Sequence, residues 1–265
     1  MRVALAQVNS SADVGANLEI VGEWSAKAAS AGADLVVFPE AMMRAFGNRL
    51  TDIAEPLDGP WARRVREIAA ENDVVVAVGM FTPGSDARHV RNTLLITGRG
   101  VEESYDKIHL YDAFGFAESD TVDAGDEVVT VEIEGVRFGL AICYDIRFPR
   151  LFTALARLGA EATIVVASWA NWPGKVEAWT TLAAARAMDA TTYVLACGQA
   201  DPEAAGREVS GSAPLGVGHS LAVSPAGRVL ATAGAEEEMI LVDLDPTAVR
   251  EARKALPVLA NARDL

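Results

Sequence analysis

Short apolar, β-branched runs recur along this sequence, and stretches with helical spacing separate several of them. Arg2 to Val8 reads as a strand. From Asp13 to Ser30 the spacing is helical, and Leu18, Ile20, Val21, Trp24 and Ala28 form the stripe expected to face a core. Leu35 to Phe38 is a continuous apolar strand, Pro60 to Ala70 a helix with proline in its first turn, and Val74 to Met80 another buried strand. Two hairpins follow. Val90–Thr97 pairs with Val101–Tyr105 around Gly98-Arg99-Gly100, and Val128–Ile133 pairs with Val136–Ile142 around Glu134-Gly135. The second half repeats the style. Helical patterns cover Phe148–Leu158, Val176–Ala190 and Thr247–Lys254, and strands are expected at Ala162–Ala167, Tyr193–Cys197, Ser220–Val223, Val229–Ala233 and Met239–Val242.

The pattern is that of a mixed α/β protein with several antiparallel hairpins. Strands that are apolar throughout imply sheets covered on both faces, and two sheets between layers of helices would satisfy them. No break in composition marks a linker and no repeat emerges, so one domain over residues 1–265 is expected. The polar, Gly/Pro-containing segment Asp201 to Gly218 reads as a loop at the surface or at the mouth of a pocket.

Composition removes several classes of function. A net charge of −14 argues against binding a nucleic-acid backbone or an anionic membrane, both of which need clustered lysine and arginine. Two cysteines, Cys143 and Cys197, are too few for a disulfide framework. The apolar run at the N-terminus is too short for a signal peptide, and no later run approaches the roughly 18 apolar residues of a membrane span. A cytoplasmic protein is the expectation. His89, His109 and His219 are scattered without ligand spacing, and Gly98-Arg99-Gly100 lacks the strand-to-helix context of a phosphate loop, so neither metal nor cofactor is expected.

Three polar residues stand at or just after strand ends, where ligands gather in open α/β sheets. Glu40 follows Leu35-Val36-Val37-Phe38-Pro39; by itself it reads equally as a cap or a solvated side chain. Lys107 lies in Tyr105-Asp106-Lys107-Ile108-His109-Leu110 and is one of only four lysines, although a surface position is its simplest reading. His109 beside it reads as support for the loop. Cys143 ends the apolar run Gly139-Leu140-Ala141-Ile142 and is followed by a turn into a helix at Arg147-Phe148-Pro149. That arrangement resembles a nucleophile elbow, and a helix N-terminus is expected to favour its thiolate. Cys197 suits the alternative role of a small buried hydrophobe. The three fit one chemistry: Glu40 takes the thiol proton, Cys143 attacks an amide carbonyl, and Lys107 with a backbone N–H such as that of Tyr144 stabilises the oxyanion.

These segments, in this order and separation, resemble the nitrilase superfamily of carbon–nitrogen hydrolases. The resemblance runs the length of the chain and includes Asn171-Trp172-Pro173, Ala184-Ala185-Arg186-Ala187-Met188-Asp189, Gly218-His219-Ser220 and Pro225-Ala226-Gly227. It implies an αββα four-layer sandwich, a Glu40–Lys107–Cys143 triad, and a homodimer or higher homo-oligomer that packs as αββααββα. It also implies a second site glutamate at Glu118, orienting Lys107 or the substrate amide. Cys143-Tyr144-Asp145 with Arg147-Phe148-Pro149 is most similar to amidases of the ω-amidase and aliphatic kind, so the expected partner is a small amide. Arg150, and Ala190-Thr191, depart from the residues usual at those positions and weaken the choice of subfamily only. Nitrilase or carbamoylase activity at the same residues, or a non-catalytic binding protein on the same fold, are the alternatives. Trp169, Phe114 and Phe116 are candidate pocket walls, with packing as the competing role, and Trp179 is assigned to the core. Arg147 is a candidate for a substrate carboxylate, with a pairing to Asp145 or another structural carboxylate preferred.

Overall fold

A computed structural model of the protein describes residues 1–204, 206–207 and 213–263. Its strands are β1 (Arg2–Gln7), β2 (Leu35–Val37), β3 (Val75–Pro83), β4 (Val90–Gly98), β5 (Val101–Asp106), the short pair β6 (Asp112–Ala113) and β7 (Phe116–Ala117), β8 (Val122–Asp123), β9 (Thr130–Ile133), β10 (Val136–Ile142), β11 (Ala162–Ala167), β12 (Tyr193–Gly198), β13 (Leu221–Val223), β14 (Val229–Thr232) and β15 (Glu238–Asp243). The helices are α1 (Val14–Ser30), α2 (Pro60–Glu71), α3 (Pro149–Arg157), α4 (Lys175–Ala190), α5 (Pro246–Ala255) and α6 (Val258–Asn261). None of them is long and apolar enough to cross a membrane.

Two sheets form. One has the order β15-β1-β2-β3-β4-β5, with β8 beside β4; the other has the order β14-β13-β12-β11-β10-β9. Each has three parallel strands at its centre, β1-β2-β3 and β10-β11-β12, and antiparallel strands outside them. The parallel strands are the uniformly apolar ones, as burial on both faces requires. Their period of two sorts the side chains. Val3, Leu5, Leu35, Val37, Val75 and Ala77 pack between the sheets against Phe138, Leu140, Ile164 and Leu195. Ala4, Ala6, Val36, Val76 and Val78 point the other way, onto Val21, Ala28, Val65 and Ile68 of α1 and α2. Helices α3 and α4 cover the outer face of the second sheet. The result is the αββα sandwich. Each fully buried Val or Leu in these layers contributes about 1.5–3 kcal/mol, so the layers hold the strand ends that carry the site.

The buried face of α1 differs from the expected stripe. It is formed by Asn17, Val21, Ser25 and Ala28, while Leu18, Ile20 and Trp24 flank it half-buried. Asn17 is drawn inward because its amide donates to the carbonyls of Ser11 (3.0 Å) and Met43 (3.1 Å), tying the helix to the segment just beyond Glu40. Of the Asp201–Gly218 segment, residues 205 and 208–212 lie outside the described residues; in the remainder, Pro214 reaches the wall of the cavity that holds Cys143.

Candidate active site

Glu40, Lys107 and Cys143 come from three different strand ends and meet at one cavity. Glu40 lies three residues beyond β2, Lys107 directly follows β5 and Cys143 directly follows β10. Two local devices aim them. The backbone of Pro39-Glu40-Ala41 passes so close over β3 that a Cβ on Gly79 would lie 2.6 Å from the Ala41 nitrogen, so only glycine fits there. Cys143 itself has φ of 49°, a left-handed conformation uncommon for a residue with a side chain, which turns the thiol off the end of β10.

Asp145 fixes that turn. Its Oδ2 accepts from the Tyr105 hydroxyl (2.7 Å) and the Ile142 N–H (2.9 Å), and its Oδ1 lies 2.7 Å from His109 Nδ1 and accepts from the His109 N–H (3.0 Å). The turn bearing the cysteine is thereby locked to the loop bearing the lysine. His109 stacks on Phe148 with ring centroids 3.6 Å apart, so it supports the loop as its sequence context suggested. Arg186 adds a bond from Nε to the Ile146 carbonyl (2.7 Å). Asp145 is saturated by these donors and does not pair with Arg147, and among the described residues Arg147 makes no ion pair with any other carboxylate, contrary to the expected structural pairing. Arg147 is exposed and lies over the ring of Trp169, 5.2 Å from its centroid.

The polar centre is buried and closely paired. Glu40 Oε1 accepts from Lys107 Nζ (3.0 Å) and from Asn92 Nδ2 (2.7 Å), and its Oε2 accepts from the Ser168 N–H (2.7 Å). Lys107 Nζ also donates to both oxygens of Glu118, at 3.0 and 2.8 Å. Glu118 accepts further from Asn92 (3.2 Å) and from the Tyr111 N–H (2.7 Å). With every Glu118 oxygen engaged, its geometry is that of a group holding the lysine rather than one free to move a proton.

Electrostatics sets the protonation states. Burial drives the Cys143 thiol well above the ordinary thiol range; Glu40 pushes the same way, Lys107 opposes, and Glu118 adds a smaller upward push. The thiol therefore rests protonated. The net shift runs against the expectation that a helix N-terminus favours its thiolate: the cysteine is itself the first residue of a five-residue 3-10 turn, Cys143–Arg147, and α3 begins beyond it. Burial alone would lower the Lys107 ammonium, but Glu118 and Glu40 outweigh it and hold the lysine charged. Cys197, also raised by burial, lies against the Val37 carbonyl at 3.2 Å.

The cavity at which these groups meet is lined by both polar and aromatic side chains. Of the expected walls, Trp169 and Phe116 line it together with Glu118. Phe114, Tyr144 and Arg147 line an adjoining depression instead. Trp179 is fully buried in the core, where its indole N–H donates to the His219 carbonyl (3.0 Å). Sequence reasoning missed Phe46, Tyr111, Ser168, Lys175 and Pro214 as walls, and Asn92 as the clamp on both glutamates. A buried asparagine inside the apolar strand β4 is the one signal that pointed to the last of these. Among the described residues, no group of three or more His, Cys, Asp and Glu side chains converges as metal ligands would.

Residues 2–254 match the family model for carbon–nitrogen hydrolases. A hydrolase of Mycobacterium tuberculosis is 53% identical over 270 residues, covering all of this chain and 96% of the relative. Deaminated glutathione amidase of Escherichia coli O157:H7 is 34% identical over 252 residues, covering 93% and 91%. The omega-amidase Nit3 of Saccharomyces cerevisiae is 30% identical over 279 residues, covering 99% and 93%. The crystal structure of S. cerevisiae Nit3, a member of branch 10 of the nitrilase superfamily, aligns with a TM-score of 0.84 at 28% identity, over 97% of this chain and 94% of that one.

Proposed function

Because the chain belongs to the carbon–nitrogen hydrolase family, we propose that it is an amidase converting a small aliphatic amide or ω-amide to its acid and ammonia through a thioester on Cys143. The observation that carries this reading is the convergence of a protonated buried thiol, a carboxylate and an ammonium on one cavity. The names of the E. coli and yeast relatives, both amidases, support the choice of bond.

Each group has one task. The Cys143 proton passes to Glu40 as sulfur attacks the amide carbon, so the thiolate exists only as the bond forms. Lys107 Nζ and the N–H groups at the start of the Cys143–Arg147 turn, which have no partner within that turn, receive the charge on oxygen. Glu40 then returns the proton to the leaving nitrogen, and ammonia departs. A water gives its proton to Glu40 and attacks the thioester; the acid leaves and the thiol is restored. Glu118 and Asn92 keep Lys107 and Glu40 in register throughout.

The test is ammonia release from propionamide and succinamate, with the intact protein weighed by mass spectrometry during turnover. Ammonia release with an acyl adduct on the peptide containing Cys143 is the expected result. Turnover of a nitrile to its acid with no amide turnover would replace the amide reading.

A further inference from the structure

The first residue of α4, Lys175, is a second buried lysine at the same cavity, only 8% exposed. Lys107 is held by two carboxylates; among the described residues, no carboxylate stands within ion-pair distance of Lys175. Aromatic faces surround it instead. The ring centroids of Tyr111, Phe114, Trp169 and Trp172 lie 5.0–5.5 Å from its Nζ, and its own backbone carbonyl accepts from the Trp169 indole at 3.0 Å. Such faces compensate an ammonium only in part, so a buried cation in this position is short of an anion. A second polar group nearby is also unpartnered. The buried Tyr111 hydroxyl has no hydrogen-bond partner among the described residues, and Tyr111 lines the same cavity. Burial holds that phenol protonated, hence a donor.

Charge is also divided across the site. Around the thiol, two carboxylates face one ammonium. Lys175 also lines the adjoining depression that holds Arg147, whose charge acts with burial to push the Lys175 ammonium down. An anion seated there would relieve both cations. A ligand with an amide at one end and an anion at the other is thus oriented before any reaction: its anion is repelled by the glutamate pair and drawn to Lys175 and Arg147.

We propose that Lys175, with the Tyr111 hydroxyl, forms the subsite that receives a carboxylate on the acyl chain, and so makes the enzyme selective for monoamides of dicarboxylic acids over neutral amides. This rests on the amidase reading of the same cavity.

The experiment compares succinamate with butyramide, which share a chain length and differ in the terminal carboxylate. The wild-type protein is expected to favour succinamate in kcat/KM by roughly 10- to 100-fold, the worth of one charge-assisted hydrogen bond. In Lys175→Met that ratio collapses, mainly through KM for succinamate, and in Lys175→Arg part of it is retained. An equal rate on both amides in the wild type, or an equal loss on both in Lys175→Met, would overturn the subsite. Calorimetric binding of succinamate to Cys143→Ala and to Cys143→Ala/Lys175→Met separates the two readings. A similar fold-loss on adding Lys175→Met, with no turnover of either amide by the wild type, keeps the subsite and removes the amidase. Identical binding by both proteins, with both amides hydrolysed, does the reverse.

Discussion

The two cysteines are both buried in the second half of the sandwich, both pushed up by burial, and suited to different tasks. Cys197 lies within β12, in regular extended backbone, with its sulfur between the carbonyls of Val37 (3.2 Å) and Ala6 (3.6 Å). Cys143 stands one residue past the end of β10 in a left-handed conformation, facing Glu40 and Lys107. What separates them is not thiol acidity, since neither rests as a thiolate. It is the presence, beside one sulfur only, of a base that takes the proton and a cation that takes the charge.

The bluntest way to break this comparison is to delete each sulfur. Cys143→Ala is expected to lower kcat by roughly 10⁴-fold or more, as removal of a nucleophile that acts as part of a unit does. Cys197→Ala is expected to keep its turnover and lose roughly 1 kcal/mol of stability, the cost of one small buried group. Steady-state ammonia release and urea midpoints measure both. Comparable activity losses in the two variants would end the distinction.

A sharper cut leaves both sulfurs in place and removes the base. Glu40→Gln preserves the shape of the side chain, and its amide oxygen can still accept from Lys107, but it cannot take a proton. The expected loss in kcat is about 10²- to 10⁴-fold, the usual contribution of a positioned general base. Alkylation by iodoacetamide should show the same dependence: Cys143 reacts faster than Cys197 in the wild type, and Glu40→Gln slows Cys143 toward the rate of Cys197. Peptide mapping of the alkylated protein reads both rates. An unchanged Cys143 rate in Glu40→Gln would mean that another group takes the proton.

How much of this the sequence carried depends on distance along the chain. Cys143 and Glu40 were legible because each stands at or within three residues of the end of an apolar strand, whereas Lys107 follows the mostly polar strand β5 and was legible through its motif and the family resemblance; the three strands themselves were found to within a few residues. Glu118 was legible through the family resemblance alone; its place in a short turn between β7 and β8 carries no periodic signal. The two-residue strands β6 and β7 were invisible for the same reason. Asn92, Tyr111, Ser168 and Lys175 enter the site from elements far apart in the chain, and nothing local in Lys175 shows that four aromatic rings will close around it. The thiol was misjudged because a local rule, the helix N-terminus, was outweighed by tertiary burial and by carboxylates contributed from other strands.

The smallest expected effect tests where the two cysteines are alike. Each thiol is raised in the folded protein above the ordinary value of about 9, with burial as the first cause. Below that value both are protonated, folded or unfolded, and their contribution to stability is fully present. As pH rises through it, the unfolded chain loses the two protons while the folded chain keeps them, so the unfolded state binds fewer protons and stability falls. The limiting slope is about 1.4 kcal/mol per pH unit for each thiol. Tyr105, Tyr111, Tyr193 and Lys107 are raised too and act with the same sign from higher ordinary values, whereas Lys175, lowered from 10.5, acts with the opposite sign, so the thiol share is read from the difference between the wild type and the cysteine variants. Urea midpoints at pH 8, 9 and 10 should therefore fall for the wild type, and Cys143→Ala and Cys197→Ala should each remove about half of the thiol share of that fall. Midpoints that change with pH identically in the wild type and in both cysteine variants would mean that the thiols are not raised. A fall removed by Cys197→Ala and not by Cys143→Ala would mean that the catalytic sulfur already rests ionised, and the proton transfer to Glu40 would then have no proton to move.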